Sequence, residues 1–225
     1  MGKIIVIEGT DGSGKTTQIE RLYNRLKDEN EDIIKIKYPH YESPSSALVK
    51  MYLNGEFGDK PEDVNPYTAS AFFAVDRIAY YKKEWGKFYN KGSIVLADRY
   101  TTSNMIHQAA KIEDKDEKEK FLNWLWDLEF VKMGLPVPDI VIFLNMPPKY
   151  SIKLVNERGE DISAHHPKDI HEKDENYLKH SYENSLYIAN KYNWIDISCV
   201  RDGKIKSIDE IHEEIYSKVK KSLKK

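Results

Sequence analysis

The sequence predicts an α/β fold in which a five-stranded parallel sheet carries helices on both faces. Apolar runs of strand length recur at 3–8, 33–38, 93–97, 139–145 and 194–198. Longer segments with helical character lie around them, at 15–29, 45–54, 66–90, 102–111, 116–133, 149–158, 173–192 and 207–222. Strands alternating with helices pair in parallel through helical crossovers, and ligands then collect at the strands' C-terminal ends. The third observation is a glycine-rich turn at the first of those ends.

That turn is Gly9-Thr10-Asp11-Gly12-Ser13-Gly14-Lys15-Thr16-Thr17, and it fits the phosphate-loop pattern G-x-x-x-x-G-K-[ST] without a mismatch. Glycines at 9, 12 and 14 allow backbone dihedrals that a Cβ forbids, so successive N–H groups can face phosphate oxygens. The helix that follows adds its positive end. Lys15 can place a point charge on the β- and γ-phosphates, and the Thr16 hydroxyl can ligate Mg²⁺. The motif implies a bound nucleoside triphosphate.

After the second strand, Tyr38-Pro39-His40-Tyr41-Glu42-Ser43-Pro44 reads as a loop beside the phosphate loop. Asn65 caps the next helix and Pro66 opens it. Phe73 and Arg77 lie four apart on one face of that helix. They could stack a base and bond its edge, or be a core aromatic and a salt-bridged arginine. The third strand runs straight into Asp98-Arg99-Tyr100. A carboxylate there can hold Mg²⁺ through water, and the arginine can bridge phosphoryl groups as charge moves between them. Ser103 and Gln108 on the next helix offer donors and acceptors suited to a base edge. The strand at 139–145 reads as buried on both faces. The polar stretch from Gly159 to Glu172 holds His165, His166 and His171 without an H-x-x-x-H pair, which favours a mobile lid over a zinc site. Tyr177, Tyr182 and Tyr187 recur at steps of five and are expected to pack their helix.

Composition narrows the classes. With 225 residues the chain suits a single domain, 1–225, with an inserted lid. A net charge of −2 argues against a general nucleic-acid or membrane-surface binder. One cysteine, Cys199, excludes an internal disulfide and a cysteine-based zinc site. No signal peptide precedes the first strand and no apolar run approaches membrane-spanning length, so a cytoplasmic setting is expected.

The phosphate loop, the Phe73–Arg77 spacing, the strand-end D-R-Y-x-x-S-x-x-x-x-Q, the late P-D-I-V-I-F-L strand and a D-x-x-E in the lid together resemble the thymidylate kinase family over nearly the whole chain. The resemblance implies the three-layer fold of P-loop NTPases with a short lid at about 156–172. It implies transfer of the ATP γ-phosphoryl group to dTMP with Mg²⁺, by a homodimer formed through helices of the 66–133 region. The residues would divide as follows. Gly9 to Thr17 hold ATP, and Thr16 and Asp98 serve the metal. Asp11 receives the acceptor's 3′-hydroxyl, Phe73 stacks on thymine and Arg77 reaches its O4. Tyr100, Ser103 and Gln108 line the acceptor, and Arg99 contacts the transferred phosphate. Some members carry a second catalytic arginine in the phosphate loop, where this chain has Gly12, so the resemblance points to Arg158 in the lid. Catalysis would then rest on Lys15, Asp98, Arg99 and Arg158.

Two departures stand out. Pro39 is followed by His40 and Tyr41, with no arginine to clamp the acceptor phosphate, a role open to Lys35, Lys37 or a protonated His40. His107 stands where the family usually has a tyrosine or phenylalanine. The rival readings are a deoxynucleoside or other nucleotide kinase, with Glu8 or Asp76 as general base, and a nucleotide-binding regulator without phosphotransfer.

Overall fold

The computed structural model describes residues 1–29, 31–159, 170–171 and 175–223, with the side chains of 155–159 and 175 outside that description. Five strands, β1 (Lys3–Glu8), β2 (Ile33–Lys37), β3 (Ile94–Asp98), β4 (Ile140–Asn145) and β5 (Ile195–Ser198), form one parallel sheet in the order β2-β3-β1-β4-β5. β1 is therefore central. Its Ile4, Ile5, Val6 and Ile7 are all fully buried, as a strand covered on both faces requires. On either side of β1 the chain proceeds in opposite directions, so the crevice at its C-terminal end is the topological switch point.

Alternate residues of each strand feed two cores. On one face Ile5, Ile7, Leu96 and Ile142 pack with Ile19, Leu22 and Leu26 of α1 (Lys15–Asp28) and with Ile211, Ile215 and Val219 of α9 (Ile208–Leu223). On the other, Ile4, Val6, Val95 and Ala97 meet an aromatic cluster of Tyr38, Trp85, Tyr89 and Tyr100. Helices α2 (Ala47–Leu53), α3 (Pro66–Tyr80), α4 (Gly86–Lys91), α5 (Thr101–His107), α6 (Lys115–Trp126), α7 (Pro148–Gly159) and α8 (Glu175–Lys191) complete the layers. The helix expected over 149–158 is α7. Of the lid expected at 156–172, the stretch 156–159 is the end of α7 and Ile170–His171 forms a turn; the remainder lies outside the described residues.

Three departures from sequence expectation have local causes. The segment 66–90 is not one α-helix but α3 and α4 joined by a π-helical turn, Tyr81–Trp85, in which the Gly86 N–H reaches back to the Tyr81 carbonyl. The segment 116–133 likewise widens into a π-helical stretch at Asp127–Lys132, with the Met133 N–H bonded to the Leu128 carbonyl. A short antiparallel hairpin, β6 (Val200–Arg201) and β7 (Lys204–Ile205), follows the fifth strand. Its turn is Asp202-Gly203, both at positive φ, the pair favoured in a tight hairpin of this twist. The expected helix cap is present: the Asn65 side chain accepts from the Tyr67 and Thr68 N–H groups.

The π-helical turn explains why residue 86 is glycine. A Cβ there would lie 2.7 Å from both the Tyr81 carbonyl oxygen and its ring. Gly86→Ala is expected to lower the unfolding free energy by about 1–3 kcal/mol, measurable by urea titration.

Candidate active site

The phosphate loop leaves the end of β1 at the switch point. Gly12 and Gly14 have φ of 80 and 87, left-handed values that an arginine at 12 would resist. Gly14 occupies the N-cap position of α1 without any side-chain cap, and the first turn holds no acidic residue. The helix therefore presents uncompensated N–H groups. The Thr10 and Ser13 hydroxyls beside it are buried and lack a partner among the described residues. Lys15 folds its ammonium onto the Gly9 and Thr10 carbonyls, at 2.8 and 3.0 Å, and burial lowers its pKa. Each of these groups fits an anionic ligand.

Parallel register sets Asp98 opposite Ile7, next to the start of the loop. Asp98 and Thr16 line one cavity of about 470 Å³, together with Glu20, Lys35 and Lys37. Both are hard oxygen donors suited to Mg²⁺, which takes one or two protein oxygens plus phosphate and water. Among the described residues no cluster of three or more His, Cys, Asp or Glu could form a metal cage unaided.

Arg99 follows at φ 66, an uncommon conformation for a side chain with a Cβ. Its Nη2 donates to Asp11 Oδ1, and its Nη1 lies 3.0 Å from His107 Nε2. A guanidinium cannot accept a hydrogen bond, so His107 Nε2 is the acceptor and the imidazole is neutral with its proton on Nδ1. Burial, with the Arg99 charge beside it, pushes the His107 pKa well down. Burial alone would raise the Asp11 carboxyl, but Arg99 and Lys15 hold it well below the usual carboxylate range.

A second cavity, of about 250 Å³, opens beside Asp11 and Arg99. Phe73, Arg77, Tyr100, Ser103 and Gln108 all line it, so the structure gathers every residue expected at the acceptor. Their availability differs. The Phe73 ring is held edge-on by Tyr52. Arg77 is fully buried and paired with Glu129, so the salt bridge named as the alternative is real, and it coexists with a place on the cavity wall. The Tyr100 hydroxyl is turned to the Pro136 carbonyl at 3.0 Å, leaving only its ring. The Ser103 hydroxyl donates to Glu8, while Gln108 Oε1 is buried without a partner among the described residues. Lys37, Pro39 and Tyr41 line both cavities. Lys35 is drawn to Glu20 and His40 stacks on Tyr80, which leaves Lys37 as the cation placed between the two sites.

The sequence reading did not find Asn104 on the cavity wall, nor the binding-site neighbours of His171. The His171 Nε2 lies 2.9 Å from the Tyr52 hydroxyl, which also accepts from Lys111 at 2.8 Å. Asn104 adjoins Ser103 within the strand-end motif, a signal that was present; His171 had none. Tyr177 and Tyr182 pack as expected, their hydroxyls bonded to the His107 carbonyl and to Asn145. The Arg158 side chain lies outside the described residues.

A phosphate loop at the switch point, an Asp-Arg pair at the neighbouring strand end and a separate cavity for an acceptor define a P-loop nucleotide kinase. A family model for thymidylate kinase matches residues 7–215. The chain is 30% identical to the thymidylate kinase of Plasmodium falciparum over 98% of its own length and 90% of that protein. It is 29% identical to the probable thymidylate kinase of Pyrococcus horikoshii, over 99% and 98%, and 30% identical to the thymidylate kinase of Mycobacterium tuberculosis, over 76% and 78%. The chain belongs to the thymidylate kinase family, phosphotransferases that use ATP to convert dTMP to dTDP.

The two buried histidines give the folded protein an acid sensitivity. Burial pushes His171 down to about 3. Between that value and its unfolded pKa near 6.5 the unfolded chain binds a proton that the folded chain does not, so stability falls as pH drops. At pH 5 His171 alone is expected to remove about 2 kcal/mol. Denaturant titrations at pH 7.5 and 5.0 measure this, and His171→Gln should flatten the difference.

Proposed function

We propose that the described residues divide the phosphoryl transfer between a donor and an acceptor side that meet at the phosphate loop. The observation that carries this reading is the single cavity joining Asp11, Phe73, Arg77, Arg99 and Gln108 beside that loop. On the donor side, Gly9 to Thr17 wrap the ATP phosphates, and Lys15 leaves the Gly9 and Thr10 carbonyls for the β- and γ-phosphates. Thr16 and Asp98 would hold Mg²⁺, which would supply charge neutralisation on those phosphates.

On the acceptor side, Phe73 stacks on thymine while Arg77 Nη1 and Gln108 Oε1 address its edge. Lys37 faces the acceptor phosphate in place of the absent arginine. Arg99 turns to the phosphate under transfer, which frees the Asp11 carboxylate for the 3′-hydroxyl. The acceptor phosphate is already an anionic nucleophile, so positioning and charge stabilisation suffice. This favours a nucleotide over a nucleoside acceptor. A 5′-hydroxyl would need a general base, and both named carboxylates are occupied. Glu8 accepts from Thr102, Ser103 and the Tyr100 N–H, and Asp76 from the His40 N–H and the Ser45 hydroxyl.

Arg158, at the end of α7, supplies the second transition-state cation from a lid that excludes water on closure. The proposal includes a cytoplasmic homodimer through α3 and its neighbours. Its support is exposed apolar surface: Val75 on α3 is 47% exposed and Leu48 on α2 43%. Among the described residues no helix is long and apolar enough to cross a membrane.

Arg99→Ala and Arg158→Ala should each lower turnover by on the order of 10³-fold; near-normal turnover of the latter in a coupled ADP-release assay rejects the lid arginine. A panel of thymidine, dTMP, dUMP and AMP should show preference for dTMP, and preference for thymidine overturns the acceptor assignment.

A further inference from the structure

One wall of the acceptor cavity is held by a buried ion pair whose acidic member has no part in the reaction as described. Arg77 is 2% exposed and Glu129 0%. Arg77 Nε donates to Glu129 Oε2 at 2.6 Å and Nη2 to Oε1 at 2.7 Å. Such a two-point bond fixes the plane of the guanidinium as well as its position. The Thr101 hydroxyl donates to the same Oε2 at 2.8 Å, so the carboxylate is itself held. The backbone of Arg77 is tied too: its carbonyl accepts from the Tyr38 hydroxyl at 3.2 Å, which in turn accepts from Trp85 Nε1 at 2.8 Å.

With Nε and Nη2 engaged, Nη1 is the nitrogen of Arg77 without a protein partner among the described residues. Glu129 reaches this place from the π-helical turn Asp127–Lys132. A widened turn shifts a side chain off the helical register, a device common at functional sites. The Leu135 N–H bonds the Glu129 carbonyl at 2.9 Å and folds the following chain back over it. Thr101 opens α5 immediately after Asp98-Arg99-Tyr100, so one carboxylate is bonded both to the base-side arginine and to the helix behind the phosphate-side one.

We propose that Glu129 is a positioning residue for recognition of the acceptor base. It holds the Arg77 guanidinium so that the N–H groups left over, on Nη1 and the second of Nη2, are donors fixed in direction toward the base, which selects a carbonyl at that edge and rejects an exocyclic amine. The inference rests on the reading of Arg77 as the base-side donor. A guanidinium released from Glu129 can turn and shift, and then discriminates less between the two kinds of edge.

The test is Glu129→Gln, which keeps the shape and removes the charge and one acceptor. Steady-state kinetics with dTMP and with dCMP, at saturating ATP, should show the dTMP KM raised about tenfold or more and the preference for dTMP over dCMP reduced. The ATP KM should stay within about twofold, which a general loss of folded enzyme does not distinguish by substrate. A folded Glu129→Gln enzyme with wild-type dTMP KM and base preference overturns the proposal. Should that variant fail to fold, Thr101→Val removes only the hydroxyl that holds Glu129; a smaller shift in the same direction supports the proposal, and an unchanged dTMP KM and base preference overturns it. Wild-type enzyme in the same assay separates the two levels. Preference for dTMP with unaffected variants refutes Glu129 alone, whereas a wild type that prefers dCMP refutes the base-side role of Arg77.

Discussion

The buried carboxylate of Glu8 is the constraint on which the site's geometry depends. It ends the central strand, is fully buried, and accepts hydrogen bonds from the Tyr100 N–H and the Thr102 and Ser103 hydroxyls. Burial raises its pKa even so, against the pull of Arg99. A buried carboxylate is tolerable only when its lone pairs are satisfied. Those partners all come from the segment that follows β3. The bonds therefore lock the start of α5 against the end of β1, and Arg99, between them, is left at a left-handed φ that carries its side chain across to Asp11. The phosphate loop and the strand-end Asp-Arg pair are held in one frame by a residue that need touch neither substrate.

The same economy governs the charges of the site. Arg99 is shared between Asp11 and a neutral His107, and Lys15 caps two carbonyls of its own loop while standing 3.6 Å from Asp11. Arg77 is matched by Glu129. Each of these three cations has a partner, and the partners differ in permanence. The carbonyls and Asp11 can be given up to a ligand because phosphate or a hydroxyl replaces what is lost. The Arg77–Glu129 pair cannot be given up cheaply, since either ion left alone in the interior would be strongly destabilising.

The parallel strands, the phosphate loop and the shared place of Phe73 and Arg77 on one cavity wall were legible because they rest on local rules: β-branched runs for the strands, glycines at the turn, and i,i+4 spacing for the pair. What was not legible depends on partners far along the chain. Nothing near Glu129 announces that it meets a residue 52 positions earlier, and nothing near Glu8 announces bonds to residues more than 90 positions later. The π-helical turns escaped because apolar periodicity drifts only slightly over one widened turn, although Gly86 marked one of them. The Asp202-Gly203 hairpin is the opposite case, a signal present in the letters and absent from the sequence reading.

The pairing of Arg99 with Asp11 bears on how substrate affinity responds to ionic strength. Counted from the sequence, Lys15, Arg99 and Lys37 are three positive charges awaiting phosphate. In the structure Asp11 already offsets part of that charge, so on the proposed roles acceptor binding would exchange one ion pair for another and add little new charge neutralisation. Exchange of this kind is nearly blind to the Debye screening that weakens association between free charges. On the proposed roles the grip on a nucleotide would come from short-range geometry, with Lys37, exposed and without a partner among the described residues, carrying most of the sensitivity to salt.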